Sequence, residues 1–408
     1  MKDSRHFRVS ALLSACVMSL IATAGWSQSL TWLGTLPGSN QSGAFGVSAD
    51  GAVVVGSATN AAGRDRAFRW TASGRMQDLG SLGGGWSEAY GVSADGAVVV
   101  GEDRNAAQQP RAFRWTASGG MQDLGSLGGN ESLANAVSAD GSVVVGFAYN
   151  AAGQFRAFRW TAAGGMQDLD TLGGLWSEAY GVSADGSVVV GKAWNAAGYG
   201  RAFRWTALGG MQDLGTLGGG HSWAYGVSAD GAVVVGFAYD AARQERAFRW
   251  TASGGMQDLG TLGGEYIWAY GVSADGSVVV GMAINAAGQG RAFRWTASGG
   301  MEDLNTTYAS LLTDGSQLEF ASAISPDGRY IVGWGYNAAT GHLEAFLLDT
   351  GFPLRGDVDR NGCVDDADLL RLLFEFGGNG YRNEDLNWDG TVDDADLLEV
   401  LFNFGSGC

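Results

Sequence analysis

The sequence predicts a mainly β protein: a seven-bladed β-propeller followed by a small helical module built on two acidic loops. Three observations carry this. A unit opening on Val-Ser-Ala-Asp-Gly recurs every 45 residues at Val47, Val92, Val137, Val182, Val227 and Val272, with an altered copy (ISPDG) at Ile324. Each unit breaks into four short apolar runs separated by Asp-Gly and Gly-rich turns, the content of one propeller blade. From Gly356 to Cys408 the chain changes character, with 13 acidic residues against 3 arginines; such a block is either a solvated tail or a cation site.

The first 29 residues read as an export signal. Lys2, Arg5 and Arg8 make a basic start, and Val9 to Ala24 is apolar. Small residues at Ala22-Thr23-Ala24 mark a cleavage site after residue 24, with later positions up to 29 as alternatives. Leu13-Ser14-Ala15-Cys16 offers a second reading, a lipoprotein box with lipid on Cys16, but apolar residues continue past it. The expectation is a secreted or cell-surface protein without a transmembrane span. Cleavage after Ala24 leaves Cys363 and Cys408, and two cysteines in an exported protein are expected to pair.

Residues 30–349 are expected to form the propeller. The third strand, RAFRW, occurs six times between Arg66 and Trp295, with a weaker seventh at Glu344 to Leu348. A fourth-strand sequence, LTWLGTL from Leu30 to Leu36, precedes the first complete unit, while the last unit lacks one. Pairing the two closes the ring and removes the unpaired edges of an open solenoid. If Thr71 and Met76 flank the TASG turn, Arg69 lies across from Asp78, as Arg114 from Asp123 and four more pairs. Six copies of an ion pair fix register rather than form six active sites.

The first-to-second and third-to-fourth turns (SADG, TASGG) hardly vary, which reads as a face held by turn chemistry alone. The other connections vary and carry Trp86, Glu88, Trp176, Glu178, His221, Trp223, Tyr266 and Trp268. Rings beside acids suit a glycan or peptide ligand; equally, they can fill the spaces between blades. The insertion around Tyr308 to Phe320 is either a lid or a looser closing blade. No catalytic set is identifiable, because the three histidines (His6, His221, His342) have no nucleophile at a telling position. Glycoside hydrolysis by carboxylates such as Glu88 or Glu178 is the rival from another class, and a structural surface-layer component is a third. The formal charge of −17 argues against nucleic acid. Nothing implies an oligomer, and a monomer is expected.

VSADGSVVVG, AFRWT and MQDLGTLGG resemble the extracellular HAF-repeat family of secreted bacterial repeat proteins, across Leu30 to Asp349. Arg66, Arg111 and their equivalents stand where that family's name places His, and the resemblance implies no settled activity.

After a short linker (350–355), residues 356–408 contain DVDRNGCVDDAD from Asp357 and DLNWDGTVDDAD from Asp385, 28 residues apart. Each follows the D-x-[DN]-x-[DN]-G calcium-loop pattern, which supplies the oxygens a hard cation needs. The expected ligands are Asp357, Asp359, Asn361, the Cys363 carbonyl, Asp365 and Asp368, then Asp385, Asn387, Asp389, the Thr391 carbonyl, Asp393 and Asp396. Two Ca²⁺ are therefore expected. A helix follows each loop, from Ala367 and from Ala395, stopped by Gly377 and Gly405. Leu369, Leu372, Leu373 and Phe376 share one stripe. Leu370, Phe374, Leu398 and Phe402 lie off it, free for a partner or completing a small core.

Loop, helix, linker, loop, helix resembles a type I dockerin, an EF-hand-like module without the entering helix. The resemblance implies docking to a cohesin-like or scaffold protein, often beside polysaccharide-degrading enzymes. Positions ten and eleven are Asp366-Ala367 and Asp394-Ala395, in place of the hydroxyl pair of many members. The module alternatively caps its own propeller. A Cys363–Cys408 bond would staple its two halves.

Overall fold

The computed structural model describes residues 28–408; the export-signal and Cys16 readings lie outside the described residues. Seven four-stranded antiparallel sheets form the blades. Blade two is typical, with strands Gly83–Val92, Val98–Asn105, Pro110–Thr116 and Gly120–Asp123 running outward from the axis. Blade seven takes Gln317–Ile324, Tyr330–Asn337 and His342–Asp349 from its own repeat and Ser29–Trp32 from the start of the ring. That strand pairs Leu30 with Leu348 and Trp32 with Phe346, so the ring closes as expected.

The core lies between blades. Val53, Val55, Ala67 and Leu79 of blade one pack on Ala89, Val99, Phe113 and Trp115 of blade two. The glycine ending each VVVG run is required by close approach. A Cβ on Gly101 would lie 1.9 Å from the Glu88 carbonyl oxygen. A buried serine joins neighbouring blades. Ser87 accepts from the Ala67 amide (3.0 Å) and donates to the Gly80 carbonyl (3.3 Å). Ser42 does the same across the closure, accepting from Ala345 and donating to Gly34.

The SADG turns do more than reverse the chain. Ser93 donates to Asp95 and accepts from the Val98 amide. Around the ring, Ala49 N–H donates to the Ala94 carbonyl, Ala94 to Ala139, and so on to Ala274, which donates to Pro326. The arginines expected to pair with the fourth strand also serve here. The register sets Thr71 opposite Arg75, with a three-residue loop rather than four, so Arg69 faces Gln77 and Phe68 faces Asp78. Arg69, Arg114, Arg159, Arg204 and Arg249 instead donate to the glycine carbonyl of the next blade's SADG turn. Asp78 and Asp123 pair with Arg66 and Arg111, both at 3.0 Å, whereas Arg246 turns to Asp240. A one-residue slip sends every side chain to the other face, which is why the partner changed.

The blade-seven insertion forms a short helix, α1 (Leu304–Thr307), and one 3₁₀ turn. It is not a lid: Leu304 and Tyr308 are buried with Leu318 and Phe346 in the closing core. Beyond Asp349 come α2 (Asp366–Glu375) and α3 (Asp394–Asn403), each opened by a capping box. They share a core of Val364, Leu372, Val392 and Val400, and a Cys363–Cys408 disulfide joins the second half's end to the first loop. Leu373 and Phe376, expected on the buried stripe, are exposed, because so small a core is filled by one leucine per turn plus the valines of the loops. Among the described residues no helix is long and apolar enough to cross a membrane.

Candidate functional site

Three surfaces hold the chemistry: the axial channel, the variable face around its mouth, and the C-terminal module. The channel owes its lining to β-bulges. Every innermost strand carries a register shift midway along its pairing, as between Ala89 and Gly91 or Ala321 and Ala323. A bulge re-aims one side chain, and the bulged residue lines the axis. It is Tyr90, Tyr180, Tyr225 or Tyr270 in four blades and Phe45 in blade one. Smaller residues, Asn135 and Ser322, fill the place in blades three and seven. Tyr225 stacks on Tyr270 with centroids 4.9 Å apart, and Tyr180 lies 5.3 Å from Tyr225. This collar escaped the sequence reading, though column 45, 90, 135 of the repeat would have shown it.

On the variable face the protein itself engages most of the expected ligand residues. Trp86 donates to Asp65 (3.2 Å) and Trp268 to Glu245 (2.6 Å). Lys192 lies 4.3 Å over the Trp223 ring and 3.1 Å from Glu178, a cation held by an acid and an aromatic face. His221 accepts from the Gly200 amide. Glu88 accepts from the Tyr90 hydroxyl and stands opposite Glu102 on the next strand. Burial raises Glu88, and burial with the Glu88 charge pushes Glu102 up to about 7. Glu102 and Lys192 were not singled out from sequence, because neither belongs to a motif.

Trp176 and Tyr266 remain exposed, joined by Leu175, Tyr199, Tyr336 and Leu343 on the same face. Trp176 stacks on Phe155 (5.4 Å, 18° between planes) and abuts Trp194 edge-on. The rings of blades three and four thus hold one another flat and open to solvent.

The module is anchored on the opposite, SADG face. That face is therefore not idle, as its invariant turns had suggested. The anchors are the fourth residues of the two acidic loops, both with positive φ of 59°. Arg360 pairs with Asp275. Trp388 is 5% exposed and packs on Ala49 and Ala274, with Ala94 and Ala229 nearby, closing that end of the channel. Tyr381 stacks on Trp388; burial and the charges of Asp140, Asp385 and Asp185 push it up to about 12. Arg355 donates to the Asp50 carbonyl and to the Tyr330 hydroxyl.

Inside the loops, carboxylate oxygens of Asp357, Asp359 and Asp368 lie within 4.8 Å of one another. Gly362 and Asn361 donate to Asp357 from their amides, curling the chain around the acids. Loop two repeats this with Asp385, to which Asp389 and Gly390 donate, and Asp396, which accepts from Leu386 and Asn387. Burial, with the Asp396 and Asp389 charges, pushes Asp385 up to about 7. Asp365 and Asp393 cap α2 and α3. The Thr391 hydroxyl donates to Asp389, and the Cys363 amide donates to Asn361. Crowded all-oxygen donors of this kind fit a hard divalent cation.

No protein-family model matches the chain, and no curated protein matches it. Among solved structures, the β-propeller domain of the Trilobed protease from Pyrococcus furiosus, described as having an open velcro topology, aligns at a TM-score of 0.50. It is 10% identical, over 79% of this chain and 95% of that one. The BP39L lectin from Burkholderia pseudomallei aligns at 0.47, with 8% identity over 76% and 96% of the two chains. TolB from Acinetobacter baumannii aligns at 0.44, with 13% identity over 70% and 76%. What is shared at such identities is the fold.

Proposed function

We propose that the protein is a non-catalytic binding propeller of the cell exterior. It takes a glycan or protein ligand on its variable face and is attached to a larger assembly through a calcium-loaded, dockerin-type module. The observation that carries this is the segregation of the surfaces. The open rings around Trp176 lie on one face, while the other face is covered by the module. The two acidic loops would hold two Ca²⁺, through Asp357, Asp359, Asn361 and Asp368 and through Asp385, Asn387, Asp389 and Asp396. The metal would supply charge neutralisation and order to the loops.

Attachment is supported by a duplicated apolar set. Leu370 and Phe374 are 53% and 84% exposed, and their equivalents Leu398 and Phe402 are 48% and 82% exposed. Repetition on two helices gives a cohesin-like partner two equivalent ways to dock, and the loop tips that grip the propeller are not part of it. The test is a glycan and surface-polymer binding screen with the double substitution Trp176→Ala and Tyr199→Ala. Losing a stacking platform should weaken binding at least about tenfold; binding unchanged by both substitutions overturns the site. A second reading, glycoside hydrolysis, rests on Glu102 beside Glu88, since a carboxyl near 7 suits a general acid. Reducing-sugar release abolished by Glu102→Gln would select it.

A further inference from the structure

We propose that the axial cavity between the aromatic collar and Trp388 is a binding site for a compact ring molecule carrying a single polar group such as a hydroxyl. The site lies inside the ring and goes beyond the loop-face reading. Its volume is about 520 Å³, within the range of small-molecule pockets. The valines and alanines of the repeats form the wall, the Trp388 indole forms the floor, and the tyrosines form the rim. No Asp, Glu, His, Lys or Arg lines it among the described residues, which disfavours a charged ligand. Ser322 supplies the polar contact. It lines the cavity, and its Oγ is buried with no hydrogen-bond partner among the described residues. A buried hydroxyl is costly to leave unpaired, and a ligand hydroxyl reaching it would satisfy both groups. Asn135 and Ser322 are also the two small members of the collar, so they leave the rim open where the tyrosines narrow it.

The experiment titrates the full-length, calcium-loaded protein with p-cresol and with toluene, read by calorimetry. p-Cresol should bind saturably at one site, and toluene, which leaves Ser322 unpaired, about tenfold more weakly. Trp388→Gly removes the floor and should weaken p-cresol by about tenfold or more. Ser322→Ala leaves the floor and the docked module untouched and should abolish the difference between the two probes. Two outcomes overturn the proposal: p-cresol fails to saturate the wild-type protein, as for a channel holding water only, or neither substitution changes its binding.

Discussion

Replacing Trp388 by glycine isolates the contact that holds the module to the propeller. The residue sits at φ 59°, a conformation glycine adopts without strain, so the loop keeps its shape while the indole is lost. A tryptophan buries about 150–250 Å², and at about 25 cal/mol/Å² this is worth about 4–6 kcal/mol. Tyr381 covers one face of the ring from within the module, so about half, 2–3 kcal/mol, belongs to docking. The module stays tethered by residues 350–355, and docking is therefore unimolecular and independent of protein concentration. A loss of 2–3 kcal/mol multiplies the undocked fraction by about 30- to 150-fold. Arg360 and Asp275, both partly buried, add about 1 kcal/mol, so adding Arg360→Ala should deepen the effect. The assay is small-angle X-ray scattering combined with limited proteolysis of the linker. The double variant should show a larger radius of gyration and faster cleavage between Thr350 and Arg355. A superposable scattering curve with an equally protected linker would show that Trp388 and Arg360 do not hold the module on the propeller.

Glu102 has its carboxyl raised from 4.5 to about 7. The folded state therefore holds its proton more tightly than the unfolded chain does, and stability falls as pH rises through 7. By linkage the ionised form costs about 3 kcal/mol, which solvent screening at this partly exposed site reduces to about 1–2 kcal/mol. Glu102→Gln should therefore stabilise the protein by that amount at about pH 8. The gain should vanish below about pH 4.5, and urea titrations showing no pH dependence of the difference would count against it. Chelation should lower the melting transition of residues 356–408 and leave that of the propeller in place, since a ligand at a hundred times its Kd contributes about 2.7 kcal/mol. A calorimetric trace unchanged by chelator would remove the cation from the loops.

Much of the architecture was legible because it is repeated and local. The 45-residue period, the turn residues and the surplus strand at Leu30 specify seven closed blades without reference to any long-range contact. Where the reading failed, the deciding physics was not local. A three-residue loop in place of four moved Arg69 from Asp78 to the next blade's turn, and only the packed ring shows that the carbonyl of Gly96 awaits it. The rings at Trp86, Trp223 and Trp268 look like those at Trp176 in sequence, yet their engagement by Asp65, Lys192 and Glu245 depends on strands of the preceding blade.

By itself, then, the chain determined how many blades there are, how the ring closes, and that two acidic loops follow. Tertiary structure alone decided what faces the axis and what covers it. A β-bulge turns one residue per blade into the channel, and bulge placement arises from fitting twisted sheets around a common axis rather than from residue preference. The docking of Arg360 and Trp388 on the SADG face likewise brings together residues 85 positions apart for the ion pair and farther still for Trp388 on Ala49. No periodicity encodes such a contact. It follows from a flat apolar ring of six alanines and Pro326, built one residue per repeat, on which a single indole is seated.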